Sequence, residues 1–210
     1  MALSKIQPAS MDLTANYAFT GTNSITSASS GTYEEKKLAT LTASSSATLD
    51  FTSSIDSTYN IYKFRFVNIH PAAESIFSFQ ADTGTNTSYN QTITSTYFRA
   101  YHSENDGDAL LGYRTANDLA QSTSFQHLSY YNGDDSDSAL SGELCIFDPS
   151  STTFVKHFIC NVNAMRENST ATVHSLVAGY FNTTTAITRF RFKQSSGNID
   201  SGTIEMYGIN

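Results

Sequence analysis

The chain has 210 residues, of which only 15% are charged, and a formal net charge of -7. That length suits one all-β domain and is enough to bury a sizeable core without a disulfide or metal staple. The acidic balance and the lack of a concentrated basic patch argue against a nucleic-acid partner, and no apolar run approaches the ~20 residues that span a bilayer, so no membrane partner is expected.

Polarity comes from hydroxyls instead of charges: Ser and Thr make up roughly 27% of the chain, and aromatics (14 Phe, 12 Tyr, no Trp) another 12%. Thr suits a half-buried pleated surface and Ser suits turns, so strands and tight turns are expected. Residues 1–35 read as a polar N-terminal arm with scattered apolar residues, Leu3, Ile6, Met11, Leu13, Tyr17 and Phe19. Such a segment cannot bury a core of its own. These six residues are the candidate partner-docking residues of the arm, and 36–210 is the body. The first eight residues carry one Lys and no apolar stretch of signal-peptide length, so secretion is not expected.

Period-two runs follow one another through the body. Leu38 to Thr42 and Thr48 to Phe51 are short. In Tyr59 to Ile69, Tyr62, Phe64 and Phe66 point one way and Lys63 and Arg65 the other. Ser75 to Gln80 sets Phe77 and Phe79 on one face. Thr96 to His102 alternates Tyr97 and Tyr101 with Phe98 and Ala100, and Phe125 to Tyr131 follows. Leu140 to Phe147 aligns Leu140, Leu144 and Ile146, while Phe154 to Cys160 is apolar on both faces, as a central strand is. Val173 to Phe181, Ile187 to Lys193 and Gly202 to Ile209 complete the series. Turn signals separate the runs, among them Asp106-Gly107, Asn132-Gly133-Asp134 and Asp148-Pro149. One helical turn is predicted at Thr115 to Ser122. Roughly ten strands joined by short turns predict an antiparallel β-sandwich, jelly-roll-like, with the extended arm before it.

No catalytic constellation stands out. There is no Gly-x-Ser-x-Gly elbow, no Gly-rich phosphate loop and no nominable carboxylate pair. The acidic loops at Glu104 to Asp108 and Asp134 to Asp137 fall short of the EF-hand pattern and read as solvated turns. His70, His102, His127, His157 and His174 show no metal-ligand spacing. Cys145 and Cys160 read as small buried hydrophobes. No cofactor or metal is expected, nor enzymatic activity. The most patterned charges are Lys63 and Arg65 on one run and Arg189, Arg191 and Lys193 on another. They either keep a sheet face wet or, if the two strands are neighbours, form a docking stripe for an acidic partner. Tyr97, Tyr101, Tyr130 and Tyr131 belong to sheet packing or, in a lectin-like alternative, stack on a host-surface glycan.

Several segments carry a family resemblance. Ala2-Leu3-Ser4-Lys5-Ile6-Gln7, Tyr17-Ala18-Phe19-Thr20-Gly21-Thr22, Asp118-Leu119-Ala120-Gln121-Ser122-Thr123 and Phe147-Asp148-Pro149-Ser150-Ser151-Thr152-Thr153 are four of them. The ending Ser196-Gly197-Asn198-Ile199-Asp200-Ser201-Gly202-Thr203-Ile204, closing on Tyr207-Gly208-Ile209, is the most characteristic. Across nearly the whole chain the sequence resembles structural proteins of marine tailed bacteriophages, especially phages of cyanobacteria. The resemblance implies a virion protein, assembled in the host cytoplasm and placed on the particle exterior. A tail fibre or receptor-binding appendage is the expected role, with a capsid decoration protein as the alternative. It implies a homotrimer whose partners are itself and other virion proteins, and it brings no catalytic residues with it.

Overall fold

The computed structural model describes residues 34–166 and 170–210. The expected partner-docking residues Leu3, Ile6, Met11, Leu13, Tyr17 and Phe19 lie outside them. Within the described residues the chain forms twelve strands. In order these are β1 (Lys36–Thr42), β2 (Leu49–Phe51), β3 (Ile61–Pro71), β4 (Phe77–Thr83), β5 (Ile93–Ser103) and β6 (Ala109–Tyr113). Then come β7 (Gln126–His127), β8 (Leu140–Phe147), β9 (Lys156–Arg166), β10 (Ala171–Phe181), β11 (Ile187–Gln194) and β12 (Ile199–Ile209).

All pairings are antiparallel, and the strands form two sheets, the sandwich that the alternating pattern predicts. The larger has eight strands in the order β1-β12-β3-β8-β9-β10-β5-β6, and the smaller four in the order β2-β11-β4-β7. The chain steps repeatedly from one sheet to the other.

Between the sheets sits an aromatic core. Phe64 and Phe66 of β3 meet Phe190, Phe192 and Phe77 of the small sheet at centroid distances of 5.2 to 5.5 Å. Phe79 packs edge-on against Phe158 at 5.1 Å and Phe181 at 5.7 Å. Edge-to-face pairs of this kind add about 0.5–1.5 kcal/mol each beyond burial. Opposite β5 the core is closed by segment 114–139, mostly irregular but including β7 of the small sheet, with Leu128, Gln126 and Ser129 all fully buried. Gln126 holds it in place: its Oε1 accepts from Ser95 Oγ at 2.5 Å and its Nε2 donates to the Asn117 carbonyl at 3.0 Å. Lys156 is also buried, and its Nζ donates to the Phe154 and Thr183 carbonyls at 3.0 and 2.9 Å. Burial lowers the pKa of that amine.

Some expectations are corrected. Thr115 to Ser122 forms turns and bends, with no helix among the described residues. Its backbone is drawn onto β5 instead: Leu119 N–H donates to Ser95 Oγ, and Gln121 N–H and Nε2 both donate to Thr94 Oγ1. The Phe125 to Tyr131 run shrinks to the two residues of β7. Phe154 lies before β9 and is exposed. β6, unpredicted, pairs with β5 through the Asp106-Gly107 hairpin. Cys145 and Cys160 are free thiols whose pKa values burial raises. Leu144, not Cys145, pairs with Cys160, so the two thiols face opposite sides of the sheet and cannot bridge.

Candidate functional site

The eight-stranded sheet has a second face, turned away from the core. Register places its residues in rows across the strands, since residues directly opposite in an antiparallel pair share a face. One row runs Tyr113, Phe98, Leu176, Asn161, Glu143, Arg65, Glu205. The next runs Thr96, Ala178, Ile159, Cys145, Lys63, Tyr207. The first row changes character along its length, charged over β12, β3 and β8 and apolar over β10, β5 and β6, while the second has its one charge at Lys63 and its exposed apolar residue at Ile159.

The charged half is internally neutralised. Lys63 Nζ contacts the Glu35 carboxylate and lies 3.6 Å from Glu143 Oε2. Arg65 Nη2 lies 3.1 Å from Glu35 Oε2, and its guanidinium stacks 4.8 Å from the centroid of the Tyr207 ring. Lys37 pairs with Glu205. The hydrogen bond from Lys63 holds the Glu35 carboxyl below its ordinary value, and the same bond raises the Lys63 ammonium. Arg189 and Arg191 lie on β11 in the other sheet, whose neighbours are β2 and β4, so the two basic runs do not make one stripe. Arg191 grips Asp50 with Nε and Nη2 at 2.9 and 2.6 Å and lies 4.0 Å from the Tyr89 ring centroid.

A depressed carboxyl supplies stability above its unfolded pKa and loses it as pH falls through the folded one. Glu35→Gln is therefore expected to cost about 1 kcal/mol or less near pH 7, as partly exposed pairs do. The gap to the wild type should close as the pH falls well below 4.5. Urea denaturation of both proteins at the two pH values checks this, and a gap that stays open in acid contradicts it.

The apolar half is bare. Leu111 is 76% exposed, Ile159 53%, Phe98 45%, and Tyr113 and Leu176 43% each. Phe98 and Tyr113 pack edge-on at 5.3 Å, and the Tyr113 hydroxyl donates to Asp118 at the margin. Beside them a shallow trough of about 480 Å³ runs over Gly179, walled by Phe147, His157, Ile159 and Tyr180. The patch reaches the edge of the sheet, because among the described residues β6 (Ala109, Leu110, Leu111, Gly112, Tyr113) has a partner on one side only. Edge strands in monomers are usually blunted by charge or proline. The opposite edge, β1, carries Lys36 and Lys37, whereas β6 carries no charge at all.

Sequence reasoning set Tyr97 and Phe98 on opposite faces but not which face is covered. Tyr97 proves fully buried, its hydroxyl 2.7 Å from Ser175 Oγ, and is not a surface ring. Burial pushes its pKa well up. Among the described residues no group of three or more His, Cys, Asp or Glu could hold a metal ion. The chain matches no family model, no curated protein and no solved structure.

Proposed function

We propose that the chain is a non-enzymatic structural protein of a tailed-phage particle, self-assembling through the apolar half of its outer sheet face. The observation that carries this is the contiguous exposure of Phe98, Leu111, Tyr113, Ile159 and Leu176 beside an uncharged edge strand. Together these side chains expose on the order of 500 Å², toward the upper end of what monomers leave bare. With the surrounding Thr, Ala and Tyr they approach the ~800 Å² per partner of a standard interface.

The occupant is a second copy of the chain. The five patch side chains bear no charge, so two acidic molecules can meet there without opposing like charges, while a charged partner would gain nothing from the patch. An apolar edge next to an apolar face also suits a cyclic assembly, each copy's β6 side meeting the next copy's face. The sequence resemblance supports the virion setting, on the particle exterior as a tail appendage.

Two measurements test the proposal. Sedimentation of the full-length chain at micromolar concentration is expected to give an oligomer, a trimer in the preferred form. Phe98→Glu with Leu111→Glu is expected to yield monomer with an unchanged circular dichroism spectrum. A monomeric wild type, or a variant that stays assembled, overturns the assembly surface. Quantitative mass spectrometry of purified particles is expected to find the chain at a few tens of copies or fewer. Hundreds of copies would mark a decoration protein instead, and absence from particles would end the virion assignment.

A further inference from the structure

Three of the chain's six arginines, far apart in sequence, converge on one ring. The guanidinium carbons of Arg99, Arg114 and Arg166 lie 3.7, 5.0 and 5.4 Å from the centroid of Tyr130. Arg99 also sits 4.7 Å from the Tyr101 ring centroid. Register explains the meeting. Arg99 is an inward residue of β5, opposite Ser175, and Arg166 ends β9 opposite Ala171, on the same inner face. Segment 114–139 then lays Arg114 and Tyr130 over them.

The cluster is short of acceptors. Arg99 is only 6% exposed, yet among the described residues its Nε and Nη1 have no hydrogen-bond partner. The same holds for Nε of Arg114 and of Arg166. Among the described residues the three arginines make one ion pair, Arg166 Nε to Glu74 Oε1, at a long 3.9 Å. One neutral contact is added, Arg114 Nη2 donating to the Tyr130 hydroxyl at 3.4 Å. Ring faces attract guanidinium groups, but they do not satisfy N–H donors lying in the guanidinium plane. Buried charges elsewhere in proteins are paired, and buried donors are bonded. On a chain of net charge -7, this is a concentrated positive site with its donors unspent.

We propose that Arg99, Arg114 and Arg166 bind a compact oxyanion, a sulfate or phosphate group. Its several oxygens match the planar donor forks of arginine better than chloride does. Arg99 forms the buried floor, and the partly exposed Arg114 and Arg166 form the rim. Tyr131, 36% exposed and 5.0 Å edge-on from Tyr130, stands beside the rim, where a sugar ring bearing the anion could stack. The source is therefore either the free ion or the ester group of a saccharide. This site lies on the inner face and does not depend on the assembly surface.

Calorimetric titration of the full-length protein tests it, with ionic strength held constant by sodium chloride. Inorganic sulfate and phosphate are expected to bind saturably, one per chain. Arg114→Gln and Arg166→Gln, at rim positions that tolerate change better than Arg99, are each expected to weaken binding at least 10-fold with an unchanged melting temperature in chloride. Galactose 6-sulfate binding at least 10-fold tighter than inorganic sulfate assigns the saccharide ester, and equal or weaker binding assigns the free ion. No saturable heat with any of the three anions, or full binding in both rim variants, overturns the site.

Discussion

Phe192→Ala is expected to lower the unfolding free energy by about 3–5 kcal/mol, the range for truncating a well-packed core aromatic. Phe192 is fully buried in β11, the strand between β2 and β4. Its ring lies 5.2 Å from Phe64, 5.5 Å from Phe66, 5.9 Å from Phe77, 6.1 Å from Phe51 and 6.2 Å from Phe79. Those five rings come from β2, β3 and β4, so one truncation opens a void that both sheets share. Neighbouring rings are large and held by their own strands, so they cannot collapse into the space, and cavity cost adds to lost transfer energy. A domain with net stability of about 5–15 kcal/mol would lose a large part of it. Urea denaturation should show a lower midpoint with an unchanged slope. Phe154→Ala is the control: that ring is 70% exposed and outside any strand, so its loss should stay within about 0.5 kcal/mol. A Phe192→Ala cost as small as the control's would mean the aromatic cluster is not the element that joins the sheets.

The same alternation that places Phe192 in the core is legible in the sequence. β8 runs Leu140–Phe147, the bounds its pattern predicts, and β10 and β11 differ from expectation by two residues and one. In each the large inward residues, Leu140, Leu144 and Ile146 on β8, Val173, Val177 and Phe181 on β10, Phe190 and Phe192 on β11, recur at period two and are buried, so the pattern is read even where an outward residue such as Leu176 is apolar. β6 was not readable, because Ala109-Leu110-Leu111-Gly112-Tyr113 is apolar on both sides and exposed on both. Only its hairpin turn, Asp106-Gly107, gave a signal. The Thr115 to Ser122 turn was misjudged because Ser95 and Thr94, on another strand, capture its backbone N–H groups. Segments satisfied by distant side chains carry no local pattern.

The surfaces were less legible than the strands. Lys63 and Arg65 were visible as a basic run, but the carboxylates that neutralise them, Glu35 and Glu143, come from outside β3. The bare apolar half lies on the outer face of the large sheet, where Tyr113, Phe98 and Leu176 come together only through strand order and register, which periodicity does not encode. The arginine cluster unites positions 99, 114 and 166, which only strand order brings together.

Backbone geometry supplies the second large effect: Gly202→Ala is expected to destabilise the fold by about 2–4 kcal/mol. Gly202 has φ of +113°, a conformation that L side chains rarely adopt. It sits where β12 shifts register against β3, between the pairs Ser201–His70 and Thr203–Val67. On the facing strand Asn68 has φ of +51°, so both chains leave regular geometry together. A methyl group on Gly202 would stand 2.4 Å from the Asn68 carbonyl oxygen and 2.7 Å from Ile69 Cα. These are backbone atoms of a central strand and cannot swing aside as a side chain does. Relief would require β3 and β12 to separate, at the expense of ladder hydrogen bonds. Gly84→Ala isolates the conformational part of this cost. Gly84 also has positive φ, +56°, but its added methyl would meet nothing within 4 Å. That substitution should cost only about 1 kcal/mol, the penalty of the left-handed region alone. The excess of the first over the second, read from paired denaturation curves, measures the clash. Equal costs would mean that the β3–β12 register can shift to make room, and that Gly202 is not what fixes it.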